Sequence, residues 1–485
     1  IFDVIWKLQP HRWVQEYARP QRIKKLTKPS CKVDNPQSIL DYERFQMHKK
    51  FTSLVALSLA LVLFAVSVNG ALQGPASIAK PDVAALNSTE DILKVVSRLR
   101  ALDIKQDVKS SFKTKDEIEQ AVIRDLDETT PAQDFEASQK TLVKLGLVTS
   151  SFRLRDYVVQ LLREQVAGFY EPKTKEFYLA AWLPLSDQKR VIAHELVHAL
   201  QDQHFNLRRF ENWRKGDSDA ELAAHALVEG EATLVMIEYD FEQQGMKLDM
   251  KKIESLTSNM IEQDIDSDAK SYPVLANAPK VLKENLQFPY LYGAGFVGAV
   301  LKNRSWRALD TSYESLPAST EQIMHPERFL NRDNPVKIEM PDLAGSLGPN
   351  WSKADDDVNG EFGYLVALAE FIAKRRARTA AEGWGGDRYA LYENKATGSV
   401  ILAQYTTWDT EADASEFFDA YSERTEKRYR LARPTDLNLR PRIYQTNEGL
   451  ASIELRDRDV VMIEGAQTHE QLSRISERIW KSKKR

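Results

Sequence analysis

The sequence predicts an α+β protein: a mostly helical region carrying one small edge hairpin, followed by a smaller α+β region at the C-terminal end. Three observations predict it. Between Ser88 and Leu301, apolar residues recur mostly with the helical period. Within that stretch, residues 169–179 place aromatic runs on either side of Pro172-Lys173-Thr174-Lys175, as a β-hairpin does. Beyond residue 360, helical patterns alternate with β-branched and aromatic runs.

The elements follow in order. Ser88-Thr89-Glu90-Asp91 is a start signal for a helix with Ile92, Val95, Val96 and Leu99 on one face. Residues 114–126 read as a second helix, with Thr114 and Glu117 spaced as a capping box. Residues 138–147 and 154–166 read as two more. In the latter, Val158, Leu161, Leu162 and Val166 are in phase, and Gly168 ends it. After the hairpin come a helical run around 191–200, apolar except at His194, Glu195 and His198, and an Ala- and Leu-rich helix over 219–239. Residues 264–278 read as loop and short helix, and 293–301 continue a helix opened near Pro289. Residues 342–359 are rich in Gly, Asp, Ser and Pro and mark the interdomain boundary. A helix over 362–378, a loop at Gly383-Trp384-Gly385-Gly386 and strands over 388–392 and 400–406 come next. A helix over 411–429, strands over 449–455 and 460–464 and a terminal helix over 468–481 complete the chain. No internal repeat is visible.

Charge is close to balanced, with 67 basic against 71 acidic residues, which argues against nucleic acid as a partner. It is unevenly spread: residues 1–50 carry 11 Lys and Arg against 5 Asp and Glu, leaving 56 against 66 for the rest. Residues 1–46 show no clear period and read as an upstream extension, with Met47 the expected start. His48-Lys49-Lys50, the uncharged stretch 51–68 and then Asn69-Gly70-Ala71 make residues 47–70 a signal peptide. The rival reading is a membrane anchor through 51–68. The expected product is secreted, periplasmic or held at the cell envelope. The single Cys31 lies in the upstream extension. The exported part therefore has no disulfide, no Cys-ligated zinc and no cysteine nucleophile. The expected division is a helical and catalytic region over 71–345, with 71–150 its N-terminal part, and an accessory region over 360–485. No residue of 71–150 offers an obvious side chain for blocking a metal.

One motif carries chemistry. His194-Glu195-Leu196-Val197-His198 sits in the apolar run from Val191 to Leu200. Residues four apart share a helix face, so the two imidazoles can bind one metal ion, and Glu195 can reach a water on it. With only 8 His in the chain, a chance H-E-x-x-H is expected on the order of once per hundred such chains. A catalytic zinc site needs a third protein ligand. His204 has the six-residue spacing from His198 found in H-E-x-x-H-x-x-G-x-x-H, but Gln201 stands where that pattern turns sharply at Gly. His204 is thus expected to end the helix or pack nearby. The other candidate is Glu229, in Leu227-Val228-Glu229-Gly230-Glu231-Ala232-Thr233; Glu231, two residues on, points elsewhere.

Through H-E-x-x-H and the apolar-x-Glu-Gly-x-Ala pattern, residues 155–300 resemble the gluzincin-type zinc metallopeptidases. The resemblance implies a zincin-like fold, Zn²⁺ as cofactor and Glu229 as third ligand. Phe288-Pro289-Tyr290-Leu291-Tyr292-Gly293 matches a Pro-Tyr-x-x-Gly segment of gluzincin aminopeptidases, whose Tyr hydrogen-bonds the oxyanion. That implies the same for Tyr290. The hairpin before the metal helix would lie along the cleft and pair with the substrate backbone. The chain lacks the Gly-x-Met-Glu-Asn strand that holds a free substrate amine, which favours cleavage within a peptide or protein chain. His325 is a further donor candidate, although a capped helix ending at Pro326 explains it. Trp384 and Trp408 read as core or loop anchors. The expected function is an exported zinc peptidase with Glu195 as general base. The alternative is a non-catalytic cell-envelope binding protein on the same scaffold.

Overall fold

The computed structural model describes residues 88–482, apart from 166–167, 181–184, 212, 214–215, 254–256, 259–271, 303, 435 and 437. The upstream extension, the 47–70 segment with its stretch 51–68, and Cys31 lie outside the described residues. Among those described, no helix is long and apolar enough to cross a membrane.

The chain is α+β, with a helical N-terminal region and a six-stranded sheet near the C-terminus. Helices α1 (Thr89–Arg100), α2 (Lys115–Thr129), α3 (Ala132–Lys144) and α4 (Leu154–Gln165) open it. The capping box of α2 is formed: Thr114 accepts from the Glu117 N–H, and the Glu117 carboxylate accepts from the Thr114 N–H. The hairpin is present as β2 (Gly168–Glu171) and β3 (Glu176–Ala180), paired antiparallel with Phe169 opposite Tyr178. A strand absent from the sequence reading, β1 (Lys109–Lys113), lies parallel to β3. Its sequence, Lys-Ser-Ser-Phe-Lys, has little intrinsic strand preference, so the pairing supplies what the residues do not.

Three long helices form the centre. They are α5 (Leu185–Phe205), α6 (Ser218–Gln243) and α7 (Lys280–Leu301). Helix α6 is buried on every side from Ser218 to Ile237, its Ala- and Leu-rich surface packed in the core and its acids Asp219, Glu221, Glu229 and Glu231 buried with it. Helix α7 begins at Lys280 rather than near Pro289, which sits inside it. Proline there forfeits one backbone bond, and burial of the surrounding helix in the core outweighs the loss. Where α6 and α7 cross, Gly230 faces Gly293. A Cβ on Gly230 would lie 2.1 Å from the Gly293 carbonyl carbon, and one on Gly293 would lie 2.1 Å from the Ala226 oxygen. Only hydrogen fits at either position.

The C-terminal sheet has the order β4-β5-β6-β9-β8-β7 and is antiparallel throughout. Its strands are β4 (Trp351–Asp357), β5 (Trp384–Asn394), β6 (Val400–Trp408), β7 (Arg442–Thr446), β8 (Gly449–Arg456) and β9 (Asp459–Ala466). Both faces are covered. Leu391, Leu402, Val460 and Met462 join the helical core with Phe417, Phe418 and Tyr421 of the helix Glu411–Tyr429. Their alternating neighbours Ala390, Ile401, Val461 and Ile463 pack with Leu472, Ile475 and Ile479 of the helix His469–Ser482. Here α8 is Gly360–Ala369, α9 Lys374–Ala381, α10 Glu411–Tyr429 and α11 His469–Ser482.

The C-terminal region departs from expectation as well. The segment 342–359, expected to mark the interdomain boundary, contains edge strand β4. The Asp357 carboxylate of β4 accepts from the backbone N–H of Ser218 at the start of α6 (2.9 Å), and one apolar core runs from Leu126 through Phe288 and Phe362 to Met462. The helix expected over 362–378 is two helices, α8 and α9. No Gly or Pro marks the break; the Phe371 ring there lies beside Gly146 and under the Arg424 guanidinium. The edge strand β7 was also not anticipated.

An ionic network ties the sheet to α3. Glu464 accepts from Arg424 (2.8 Å) and Arg428 (2.6 Å), and Arg424 also donates to the Leu145 carbonyl at the end of α3. Burial pushes the Glu464 carboxyl up, but the two guanidinium groups overrule it and bring it down to about 2. Glu464→Gln should cost about 3–5 kcal/mol at pH 7, since it strands Arg424 in the core. The folded value lies below the ordinary 4.5, so the contribution is present above 4.5 and lost as pH falls toward about 2. Urea unfolding of both proteins across that window should show their difference narrowing. Gly293→Ala should cost at least about 1–3 kcal/mol in the same assay, because the new methyl meets backbone.

Candidate metal centre

Helix α5 presents His194 and His198 on one face, and α6 brings Glu229 against them. His194 Nε2 lies 3.2 Å from Glu229 Oε2, His198 Nε2 lies 3.5 Å from the same oxygen, and the two Nε2 atoms are 3.1 Å apart. All three side chains are buried, at 1–2% exposure. They form a group that can hold a metal ion, found among the described residues on these three side chains alone. Two imidazole nitrogens and one carboxylate oxygen, converging from two helices in an apolar surround, fit a divalent cation. The imidazole rings meet edge to face, 4.7 Å between centroids.

Why the sequence folds this way is local. The α5 spacing of four stacks the imidazoles. Ile192, Ala193, Leu196, Val197, Ala199 and Leu200 pack with Ile92, Leu93 and Val96 of α1, with Phe177 and Leu179 of β3, and with Ala232 and Val235 of α6. Gly230 then admits α7. That brings Tyr290, one turn before Gly293, beside the metal-type group, with its ring 6.2 Å from that of His194. Burial raises the Tyr290 hydroxyl well above 10, reinforced by the carboxylates of Glu229 and Glu195, so it is held as a proton donor.

Glu195 is fully buried, and its Oε2 accepts from the Tyr170 N–H of β2 at 2.9 Å. The Tyr170 hydroxyl in turn donates to Asp202 on α5 (3.0 Å). The hairpin is thus bonded to the motif helix at two points. Nothing in the sequence flagged Tyr170, because its contribution is a backbone N–H.

The other candidates are placed elsewhere. Helix α5 runs past Gln201 to Phe205, and His204 bonds through Nε2 to the Asp103 carbonyl (2.8 Å), outside the three-residue group. Glu231 turns onto Arg100 of α1. His325 caps the short helix Thr320–Met324 and bonds to buried Glu361 (2.9 Å). Trp384 and Trp408 are core residues, the first donating to Asp387 and the second stacked on Phe417.

With this geometry in hand, comparison with known proteins adds one match. A family profile described as "Domain of unknown function (DUF8575)" matches residues 349–476, which hold the whole six-stranded sheet and none of the residues of the metal-type group. No curated protein and no solved structure matches the chain.

If these three side chains are the ligands, His194→Ala, His198→Ala and Glu229→Ala should each weaken metal binding by several orders of magnitude. His204→Ala should leave it unchanged. Chelator competition on the purified variants reads the contrast directly; loss in His204→Ala with retention in Glu229→Ala would reverse the assignment.

Proposed function

We propose that the protein is a zinc-dependent peptidase of the gluzincin type, with a zincin-like metal domain, cleaving within peptide or protein chains. The observation that carries the reading is the buried His194, His198 and Glu229 group, with the Glu195 and Glu229 carboxylates near enough to Tyr290 to raise its hydroxyl further. A merely structural site needs neither a base nor a phenol. That favours catalysis over a binding scaffold.

Zinc held by His194, His198 and Glu229 would supply Lewis acidity, lowering the pKa of water toward about 7 and polarising a carbonyl. Glu195 would take the proton from the attacking water and pass it to the leaving amine. The Tyr170 N–H holds one carboxylate oxygen of Glu195 and orients the other. Tyr290 would donate to the oxygen on which negative charge develops. The β2 edge would align an extended substrate by backbone pairing. Export to the cell envelope or outside it belongs to the same proposal and rests on the sequence of residues 47–70.

Casein digestion tests this. Glu195→Gln should keep one zinc per chain and lose hydrolysis, whereas Tyr290→Phe should keep zinc and lower kcat about 10²–10³-fold with little change in KM. Zinc-loaded wild type that cleaves no peptide or protein would leave the non-catalytic reading standing.

A further inference from the structure

A chain of buried hydrogen bonds leads from the first helix to a metal ligand. Arg100, at the end of α1, donates through Nε to Glu231 Oε1 (2.5 Å). The Tyr313 hydroxyl donates to Glu231 Oε2 (2.7 Å). Gln201 Nε2 donates to the Tyr313 hydroxyl oxygen and to the Val228 carbonyl, both at 3.0 Å. Gln201 Oε1 lies 2.7 Å from His198 Nδ1. Arg100, Glu231, Tyr313 and Gln201 are all at 2% exposure or less. None of the four is a ligand, and none is used in the reaction proposed above.

The direction of each bond is forced by the one before it. A guanidinium only donates, so the Glu231 carboxylate only accepts. Tyr313 must then spend its single proton on Glu231, leaving its oxygen to accept. Gln201 must therefore turn its NH₂ toward Tyr313, where the Val228 carbonyl demands the same orientation. Its amide oxygen is left facing His198, and that oxygen can only accept. A neutral His198 then carries its proton on Nδ1 and turns its Nε2 lone pair to the side of Glu229. That lone pair faces Glu229 Oε2 at 3.5 Å. A metal ion between Nε2 and Glu229 Oε2 would be bound by both.

We propose that Gln201 is a positioning residue that fixes the tautomer and ring orientation of His198, and that Arg100 of α1 sets it through Glu231 and Tyr313. The inference rests on the reading of His194, His198 and Glu229 as metal ligands. It makes α1 a working part of the metal centre rather than a removable leader to it. Supporting contacts hold the chain rigid: Phe205 stacks on Tyr313 (3.9 Å between centroids, 7° between planes), and the Arg100 guanidinium lies over the Trp306 ring at 4.6 Å. A second anion, Asp310, accepts from Arg100 Nη2 at 2.6 Å.

The test measures zinc affinity by chelator competition and the visible absorption bands of the cobalt-loaded protein, which report ligand geometry. The proteins are the full chain, Gln201→Leu, Tyr313→Phe and the double variant. Gln201→Leu should weaken zinc about 10–100-fold and shift the cobalt bands. Tyr313→Phe removes one oxygen atom, keeps the stack on Phe205, and should weaken zinc about 10-fold by freeing the amide to rotate. The double variant should be no weaker than Gln201→Leu alone, because both act through one chain. Arg100→Lys, which retains the charge, should bind zinc more tightly than Arg100→Met. Wild-type affinity and wild-type cobalt bands in Tyr313→Phe and Gln201→Leu would overturn this inference while leaving the peptidase proposal intact. A wild type that takes up no zinc would overturn both.

Discussion

Helices α6 and α7 touch backbone to backbone at Gly230 and Gly293, and the candidate site depends on that contact. Any side chain at either position would hold the helices apart by the width of a methyl group or more. Glu229 precedes one of these glycines and Tyr290 lies one turn before the other. The same close approach therefore decides how far the Tyr290 hydroxyl stands from the group on α5. Read as isolated motifs, Glu-Gly and Pro-Tyr-x-x-Gly are weak. In the fold their glycines are the two sides of one helix crossing, which gives each a physical reason to accompany the polar residue beside it.

Much of this was legible in the sequence because it is set by spacing within single helices. The i, i+4 imidazoles need only α5 to be a helix, and the exclusion of His204 needs only that Gln201 does not turn the chain. The hairpin and the α2 capping box are local in the same sense. What escaped was decided between elements. Strands β1, β4 and β7 lie at sheet edges, where polar and charged residues are tolerated, and Trp-Ser-Lys-Ala-Asp-Asp-Asp in β4 carries the composition of a loop. Its acids also take distant partners that sequence does not display: Tyr389 for Asp355, Arg388 for Asp356 and the start of α6 for Asp357. Pro289 hid the first nine residues of α7, because a proline inside a helix is tolerated only through burial that sequence does not display. The role of Arg100 escaped for a related reason, its partner Glu231 being 131 residues away.

Two buried ionic networks recur in the design. Arg424, Arg428 and Glu464 join the C-terminal sheet to α3, and Arg100 and Glu231 join α1 to α6. Such pairs give little net stability over apolar residues of the same volume, but breaking one leaves a charge in the core. Their effect here is positional. Apolar packing alone would let α1 slide or rotate on α5 and α6 at small cost, whereas a guanidinium with two fixed acceptors has one placement. Each network pins an N-terminal helix to an element that arrives much later in the chain.

The charge balance around the site follows from the same accounting. Glu231 is neutralised by Arg100, and Asp310 is partly open to water, so the outer layer adds little net charge. The inner layer holds two carboxylates, Glu229 and Glu195, both at 1% exposure or less, with two imidazoles as neighbours. Neutral imidazoles would leave two buried negative charges in one part of the core, a cost of several kcal/mol per ion. Protonating both rings would cancel the charge and keep the bond from His198 to Gln201, but it would remove from both rings the lone pairs that bind a metal. A doubly charged cation cancels both carboxylates at once and lets each imidazole stay neutral. A divalent ion would thus match the charge of the group that can hold a metal, and the bond from His198 to Gln201 is compatible with it.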